Sequence, residues 1–536
     1  MKIITIFKKS VLGLSVLFAT INMSAQNLQW AKDATSTGNI TGSCLTVDDS
    51  DNIYVMGSYN YPDTVYFDSI MLSLPQYSTK WLAKYDAAGQ IKWVNKSVEC
   101  TQFKRDNAGY FYTISQTNAN TGNNNIIVEK LDNTGAELWY KISSGAMGAN
   151  RGNCIDIDNS GHYFIGGITG TDVTFDTITV SNYDGEEGFI AKFDTSGAVQ
   201  WALNFWGYND GVVNEISVDP MGNTAVVGTF EDTINIGDSV FVGAGAKDIF
   251  VAKIDANGNV LWAIHEGGTN DDKGDYVGTD NSGNVYIGGS FASSTIFNST
   301  NYSGFNMYVA KYAATDGTLQ WVNTAPGSYV DRPRDIAVSS VGTVILGGFA
   351  ANNIIFGTDT VKPIGSEDYF LAKLDVSGNW IWAESYDGAN CIADLSEMVL
   401  DNSGNIIFTG SVGFSDNSQG ILDFNGIPLN INTRDMLLAK VNNADSTGVG
   451  IITNSNYLRQ VNVYPNPTRG LLNINFDMQY NDVTINIYDL TGKIVMKRKT
   501  GNQRNLIDVS QLHSGMYLYR IETKQGMQNG KLNITK

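Results

Sequence analysis

The amino-acid sequence predicts an all-β protein: a seven-bladed β-propeller closed by its N-terminal strand, followed by a small C-terminal β-sandwich. Three observations predict it. A lysine-centred phrase typified by FVAKIDANGNVLW (250–262) occurs seven times, its lysines at Lys84, Lys130, Lys192, Lys253, Lys311, Lys373 and Lys440 lying mostly about sixty residues apart, and a fixed period of that size marks a repeat architecture. A second phrase, typified by TDNSGNVYIGGSF (279–291), precedes each lysine phrase. Each end of the array supplies what the other lacks, which distinguishes a ring from an open stack with capping units.

Length and composition bound the rest. A chain of 536 residues exceeds one ordinary core, and 42% apolar residues suffice for globular burial. Its 56 glycines and 9 prolines, with abundant Tyr, Val, Ile and Thr, suit short strands joined by tight turns. The formal charge of −19 excludes nucleic acid as a partner, since phosphates demand clustered Lys and Arg, and leaves cations or neutral sugars open. Cys44, Cys100, Cys154 and Cys391 are too few for a disulfide framework and form no CxxC pair. Cys44 and Cys154 hold equivalent places before the turn aspartates Asp48 and Asp158. Buried free thiols are expected, with no pairing favoured.

Taken in order, residues 1–25 combine a basic start (Lys2, Lys8, Lys9), an apolar run from Val11 to Ile21 and a small-residue exit, which fits a secretory signal cleaved after Ala25. The apolar run is half of the ~20 residues that a membrane span requires, so no span is expected. Residues 26–445 form the repeat array. Each unit reads as strand, D-x-x-G turn, strand, longer connection, strand, second D-x-x-G turn, and a strand ending in Trp. Asp bonds its own backbone at such a turn and Gly accepts the positive φ that closes it. Four short strands in two hairpins are the grammar of a propeller blade. Trp30 has no lysine phrase before it, and the phrase at Lys440 has no Trp after it. The tryptophans Trp30, Trp93, Trp139, Trp201, Trp262, Trp321 and Trp382 match the lysines one to one only if the first strand completes the last unit, and closure also removes sheet edges.

These phrases resemble the bacterial seven-bladed β-propeller repeat family, which pairs a D-x-x-G-N-x-Y-x-x-G strand with an F-x-A-K-x-D strand, over most of residues 27–445. The resemblance implies an architecture and no common activity. The second unit departs from it, with only 46 residues from Lys84 to Lys130, and Thr315-Asp316-Gly317 carries a one-residue insertion.

Residues 446–460 read as a polar linker. From Val461 onward ten Lys/Arg stand against five acids, and alternating runs separated by Gly turns imply a β-sandwich over 461–536. YPNPTRG (464–470), INIYDLTGK (485–493), LIDVSQLHSGMYLYRI (506–521) and KLNITK (531–536) resemble the type A C-terminal sorting domain of the type IX secretion system of Bacteroidota. The resemblance marks Tyr464, Pro465, Asn466, Pro467, Gly470, Gly492, Lys493, Gly515 and Tyr517 as the motif residues. Gly470, Gly492 and Gly515 would supply tight turns, while Tyr464 and Tyr517 pack. It implies export to the outer surface of a Gram-negative bacterium or beyond, with the secretion machinery as partner. Removal of the domain, and attachment to surface lipopolysaccharide or release, usually follow.

A feature present in every unit is architecture, so chemistry is sought where units differ. Seven equivalent lysines are structural, their stems lying along blade surfaces, and the repeat tryptophans fill gaps between blades. Trp206, off register in NFWGYNDG (204–211), is a candidate contact residue. The three histidines, His162, His265 and His513, assemble no Ser-His-Asp or His-metal set, so no catalytic residue is assigned. Asp210, Glu215, Asp271, Asp272, Asp331, Asp335, Asp387, Asp394 and Glu397 are read as acids near connections between blades, mostly solvated. No cofactor is expected. The weak calcium candidate is DIDNSG (156–161), offering Asp156, Asp158 and Ser160, but it lacks the later acidic ligand and reads better as an Asx turn.

The short D-x-x-G turns share one side of a blade, and the longer, varied connections share the other. A ligand is expected on the varied side, over 145–153, 205–215, 267–275, 326–335 and 386–397, with Trp206, Tyr208, Asp210, Asp271, Asp272, Asp331 and Arg334 as its contacts. The function expected is that of a secreted or surface-displayed binding or adhesion module for a glycan or protein ligand. A carbohydrate-active enzyme using two loop carboxylates and a non-binding structural surface protein are the alternatives.

Overall fold

The computed structural model describes residues 28–443 and 461–535, excepting 37, 61–63, 74–79, 99, 118–123, 146–147, 184, 209, 329–330, 365, 387–390, 417, 465–467, 477–482, 490–492, 502–503 and 524–526. The signal segment with Ala25, the whole of the linker, Asp387, Pro465, Asn466, Pro467 and Gly492 lie outside the described residues. The chain divides into two compact units, one over Gln26–Ala444 and one that includes Asp445–Lys536.

The larger unit is all-β and consists, among the described residues, of seven four-stranded antiparallel sheets. The fourth shows the plan: Gly211–Val218, Thr224–Phe230, Asp248–Ile254 and Val260–Glu266 pair in that order. Its two middle strands are buried along their whole length, because a sheet packed on both faces leaves no polar side and reads as a continuous apolar run. The first strands of the seven sheets are Asn39–Val47, Gln102–Arg105, Arg151–Ile157, Gly211–Val218, Asp272–Thr279, Arg332–Val338 and Cys391–Leu400. Each contacts the next, and the last contacts the first. Leu28–Ser36 is the outermost strand of the seventh sheet, with Trp30 opposite Lys440 and Ala31 opposite Ala439.

The recurring phrases make recurring contacts, which the fourth sheet shows. Asp219 accepts the backbone N–H groups of Met221 at 2.9 Å and Asn223 at 3.0 Å, closing the first turn, and Gly222 takes φ +82° there. Lys253, on the third strand, reaches the other oxygen of Asp219 at 2.9 Å and donates to the carbonyl of Gly283 in the next sheet. Lys440 repeats this across the closure, pairing with Asp401 at 2.7 Å and donating to Ala87 of the first sheet at 3.5 Å. These lysines therefore do not lie along an exposed surface. Lys192, Lys253, Lys311, Lys373 and Lys440 are buried, because both faces of the strand that carries them are covered. The tryptophans do fill gaps between sheets: the Trp201 ring lies against Gly258 in the second turn of the next sheet, where a Cβ would meet it at 3.0 Å. Trp201 Nε1 donates to Ala256 there at 3.1 Å. Trp30 lies in the same way on Gly89.

The longer connection between second and third strands is itself a hairpin in six sheets, with strands of three to five residues such as Thr64–Phe67 and Ile70–Ser73, or Thr233–Ile236 and Ser239–Val242. Each is closed by a short Asp, Asn, Ser or Gly turn at positive φ, for example Asp68 and Gly237. In the first and fourth sheets the hairpin pairs with the outermost strand of the preceding sheet, Phe67 with Ala34 and Asn235 with Trp206. Among the described residues the second sheet carries no such clasp.

The C-terminal unit pairs Val461–Tyr464, Leu471–Phe476 and Arg504–Asp508 in one sheet, and Ile494–Thr500, Val483–Tyr488, Gly515–Glu522 and Met527–Ile534 in another. Leu472, Ile474, Ile485, Ile487, Ile521 and Leu532 form their common core. Tyr517 packs partly buried against it and donates to the His513 carbonyl at 3.0 Å. Gly470 and Gly515 take positive φ, and Lys493 donates its N–H to Asp489 at 3.1 Å in the turn after Val483–Tyr488.

Because the Lys253 and Asp219 side chains are 1% and 0% exposed, removing one partner leaves a buried unpaired charge. Lys253→Met should destabilise the protein by about 3–5 kcal/mol in urea unfolding. Lys253→Met with Asp219→Asn, which keeps the turn but removes the charge, should cost measurably less; equal losses would show that the pair does not act as a unit.

Candidate functional site

The first strands of all seven sheets line one cavity of about 370 Å³, the central channel of the ring. Six of them carry a bulge at one equivalent position, between Gly42 and Cys44, Gly152 and Cys154, Val213 and Glu215, Gly274 and Tyr276, Pro333 and Asp335, and Leu395 and Glu397. An extra residue in one strand turns adjacent side chains out of strict alternation, so polar groups on both sides of the bulge reach neighbouring sheets. Gln102 accepts the Ile155 N–H, Asp156 that of Val218, Asp335 that of Met398 and Glu397 that of Leu45, each at 2.7 Å. Asn153 and Asn214 donate to the carbonyls of Val213 and Gly274, both at 2.9 Å.

Glu215, Asp335 and Glu397 thus line the channel rather than sitting in solvated loops, and Asp156 belongs with them. Lys104 pairs with Glu397 at 3.2 Å, and Gln102 donates to Glu215 at 3.2 Å. Burial alone would drive Lys104 down, but Glu397, Asp156, Glu215 and Asp335 outweigh it and hold the ammonium protonated. Burial pushes Glu215 up to about 7, opposed by Lys104 and Gln102 and reinforced by Glu397 and Asp156. Part of its surface faces the channel, yet protein encloses it on all sides. Burial, then Glu397, push Asp335 well above the carboxylate range.

Asp156 and Asp158 have separate tasks, which splits the calcium fragment. Asp158 closes its turn by accepting the N–H groups of Ser160 at 2.8 Å and His162 at 3.0 Å, and its other oxygen meets His162 Nδ1 at 2.9 Å. Among the described residues no group of three His, Cys, Asp or Glu side chains is placed to hold a metal ion.

On the side of the long connections a second cavity, of about 430 Å³, lies between the fifth and sixth sheets. It brings together three of the residues expected from sequence, Asp271, Asp331 and Arg334, with Lys273, Arg332, Asn306 and the exposed ring of Phe305. Asp271, Lys273 and Arg332 are exposed. Asp331 is buried: its oxygens accept the N–H groups of Ser328, Ala351 and Asn352 at 2.6–2.9 Å, so it shapes the loop instead of offering itself to a ligand. Arg334 pairs with Asp394 at 3.0 Å and lies over the Phe349 ring. Asp272 does not face this cavity. It is buried and accepts the Gly268 N–H at 2.7 Å, and burial pushes its carboxyl up to about 7.

Trp206 and Tyr208, on the outermost strand of the third sheet, and Asp210, in the connection to the fourth, do not line that cavity. Trp206 is 43% exposed and packs on Tyr183 with ring centroids 5.4 Å apart, and Tyr208 is 69% exposed. Asp210 accepts the Glu186 N–H at 3.2 Å. Sequence reasoning missed Gln102 and Lys104. Gln102 is marked by a column: four residues before the first-turn Asp, or Ser339 in the sixth sheet, the sheets carry Cys44, Gln102, Cys154, Glu215, Tyr276, Asp335 and Glu397, all within an otherwise repetitive frame.

The folded value of Glu215, about 7, lies above its ordinary value of 4.5. Its stabilising contribution is therefore fully present below about pH 4.5 and is lost as pH rises through about 7. Glu215→Gln should flatten the fall in unfolding free energy across that interval; superimposable profiles for the two proteins would refute the assignment.

The family model described as the secretion system C-terminal sorting domain matches residues 462–535. The chain is therefore a type IX secretion cargo, secreted or displayed at the cell surface, with the type IX machinery as an interacting partner. No helix among the described residues is long and apolar enough to cross a membrane. An uncharacterized WD repeat-containing protein of Acanthamoeba polyphaga mimivirus is 22% identical over 80% of this chain and 32% of its own length, so the chain spans about a third of that curated relative. Among solved structures, quinohemoprotein alcohol dehydrogenase from Comamonas testosteroni is 11% identical, covering 81% of this chain and 78% of its own, with a TM-score of 0.40. PorZ, a surface component of the type IX secretion system of Porphyromonas gingivalis, is 9% identical, covering 94% of this chain and 100% of its own, with a TM-score of 0.16.

Proposed function

We propose that the protein is a binding module delivered to the cell exterior through type IX secretion: a closed seven-bladed propeller that takes a saccharide on the side of its long connections. In this reading residues 1–25 are removed after Ala25, 446–460 link the two domains, and loss of 461–536 accompanies attachment to surface lipopolysaccharide or release. The observation that carries the reading is the cavity between the fifth and sixth sheets. It sets the partly exposed ring of Phe305 beside Asp271, Lys273, Asn306 and Arg332. A sugar ring presents C–H groups to an aromatic face and hydroxyls to charged donors and acceptors, whose hydrogen bonds are the stronger kind. The opposite side is uniform, its turn aspartates already engaged with backbone N–H groups.

The test is retention of the full chain on an array of glycans and peptides. A glycan ligand is expected, and Asp271→Asn with Arg332→Gln should weaken it at least tenfold, about 1.4 kcal/mol. Exchanging 267–275 and 326–335 for the connections of another sheet should abolish binding, while Asn257→Ala on the turn side leaves affinity unchanged. Retention of peptides alone would replace the saccharide with a protein ligand, and failure on both would favour a structural role.

A further inference from the structure

The sulfurs of the first two sheets meet at one place. Cys44, on the first strand of the first sheet, pairs across the ladder with Met56. Cys100, in the segment leading into the second sheet, places its Sγ 2.7 Å from Met56 Sδ. Cys44 Sγ lies 3.3 Å from the carbonyl oxygen of Thr101, the residue that follows Cys100. All three sulfur residues belong to one packed cluster with Leu82, Phe103 and Phe111. The other two cysteines are buried in different cores, Cys154 against Val213 and Phe164, Cys391 against Tyr369 and Leu395.

A second observation falls at the same boundary. In the first and fourth sheets the hairpin pairs with the outermost strand of the sheet before it, and among the described residues the second sheet has no hairpin. The second-turn contact is also altered there: Gly135 faces Leu82, where its counterparts in other sheets face a tryptophan. Among the described residues, the boundary between first and second sheets therefore lacks the Trp–Gly contact seen at Gly89, Gly197, Gly258, Gly317 and Gly378. It is also where two thiols converge in a protein that leaves the reducing cytoplasm.

We propose that Cys44 and Cys100 form a disulfide in the exported protein, a covalent staple from the first sheet to the second. Exported proteins pass through oxidising compartments where disulfides form and persist. The co-reactant is a periplasmic thiol–disulfide exchange donor in its disulfide form. Cys100 is only partly buried and lines a cavity of about 660 Å³ with Val98 and Thr101, so it is the accessible sulfur. Its thiol loses a proton and the thiolate bonds to one donor sulfur while the donor S–S bond breaks. Cys44 then loses its proton, and its sulfur displaces the donor from Cys100. The donor leaves as a dithiol carrying the two electrons. A hydrogen bond with Cys100, together with burial, pushes the Cys44 thiol well above the ordinary value, which assigns the first attack to Cys100.

The experiment counts thiols in the full chain recovered from an oxidising compartment and unfolded without reductant, with peptide mapping after alkylation. Two reactive thiols per chain are expected, Cys154 and Cys391, together with one cross-linked peptide joining Cys44 and Cys100. Reductant should raise the count to four. Cys100→Ser, the milder variant, should raise the unreduced count from two to three. In the wild type reductant should lower the urea midpoint, and in Cys44→Ser/Cys100→Ser it should not. Four thiols without reductant, a fall from four to three in Cys100→Ser, or a cross-link between any other pair would overturn the proposal.

Discussion

Lys253 carries the constraint on which the ring depends. The strands of each sheet are covered on both faces, so no charge inside can be left to solvent, and a lysine placed there must be matched. It is matched twice, by Asp219 of its own sheet and by the Gly283 carbonyl of the next. One side chain thereby fixes a turn and a neighbour together. Lys440 performs the same act with Asp401 and Ala87, so the closing contact is chemically the same as an internal one. A ring built this way needs no specialised seam. Its last sheet is completed by Leu28–Ser36 because that strand brings the Trp30 that the Gly89 turn of the first sheet requires.

The periodic part of this was legible in the sequence because each repeated residue meets a repeated partner. Aspartate, glycine, lysine and tryptophan recur at fixed intervals since every sheet has two identical turns to close and one identical neighbour to meet. The clasping hairpins were not legible. Strands such as Val173–Phe175 are too short for alternation to register, and their closing residues vary among Asp, Asn, Ser and Gly. The lysines were misplaced for a different reason. A stem flanked by Ala and Phe looks amphipathic, and only the second packed sheet converts an exposed face into a buried one.

The channel acids were hidden by the bulge. In a regular strand Asn214 and Glu215 would point to opposite faces, and Glu215 would read as the polar outside of a half-buried strand. The register shift between Val213 and Glu215 lets Asn214 bond Gly274 in the next sheet while Glu215 faces the channel. The shift leaves no mark in composition. It shows only when the seven units are aligned on their turns, where a column running from cysteine through glutamine, glutamate, tyrosine and aspartate stands out from a frame that hardly varies. Invariance marked the architecture correctly. The same principle, applied to each aligned column rather than to loops alone, reaches the channel.

What the channel residues are engaged in then bears on where a ligand is met. Asp156, Asp335 and Glu397 each hold a backbone N–H of the adjoining sheet, so displacing any of them would open a boundary between sheets. Lys104 neutralises part of the charge these acids bring together and is held in place by it. A ligand entering there would have to break contacts on which the ring relies. Asp271, Lys273 and Arg332 are exposed on the connection side, at the starts of their first strands. Recognition can vary there without loosening the ring, and that separation of load from contact is what a repeat array with one uniform and one varied side provides.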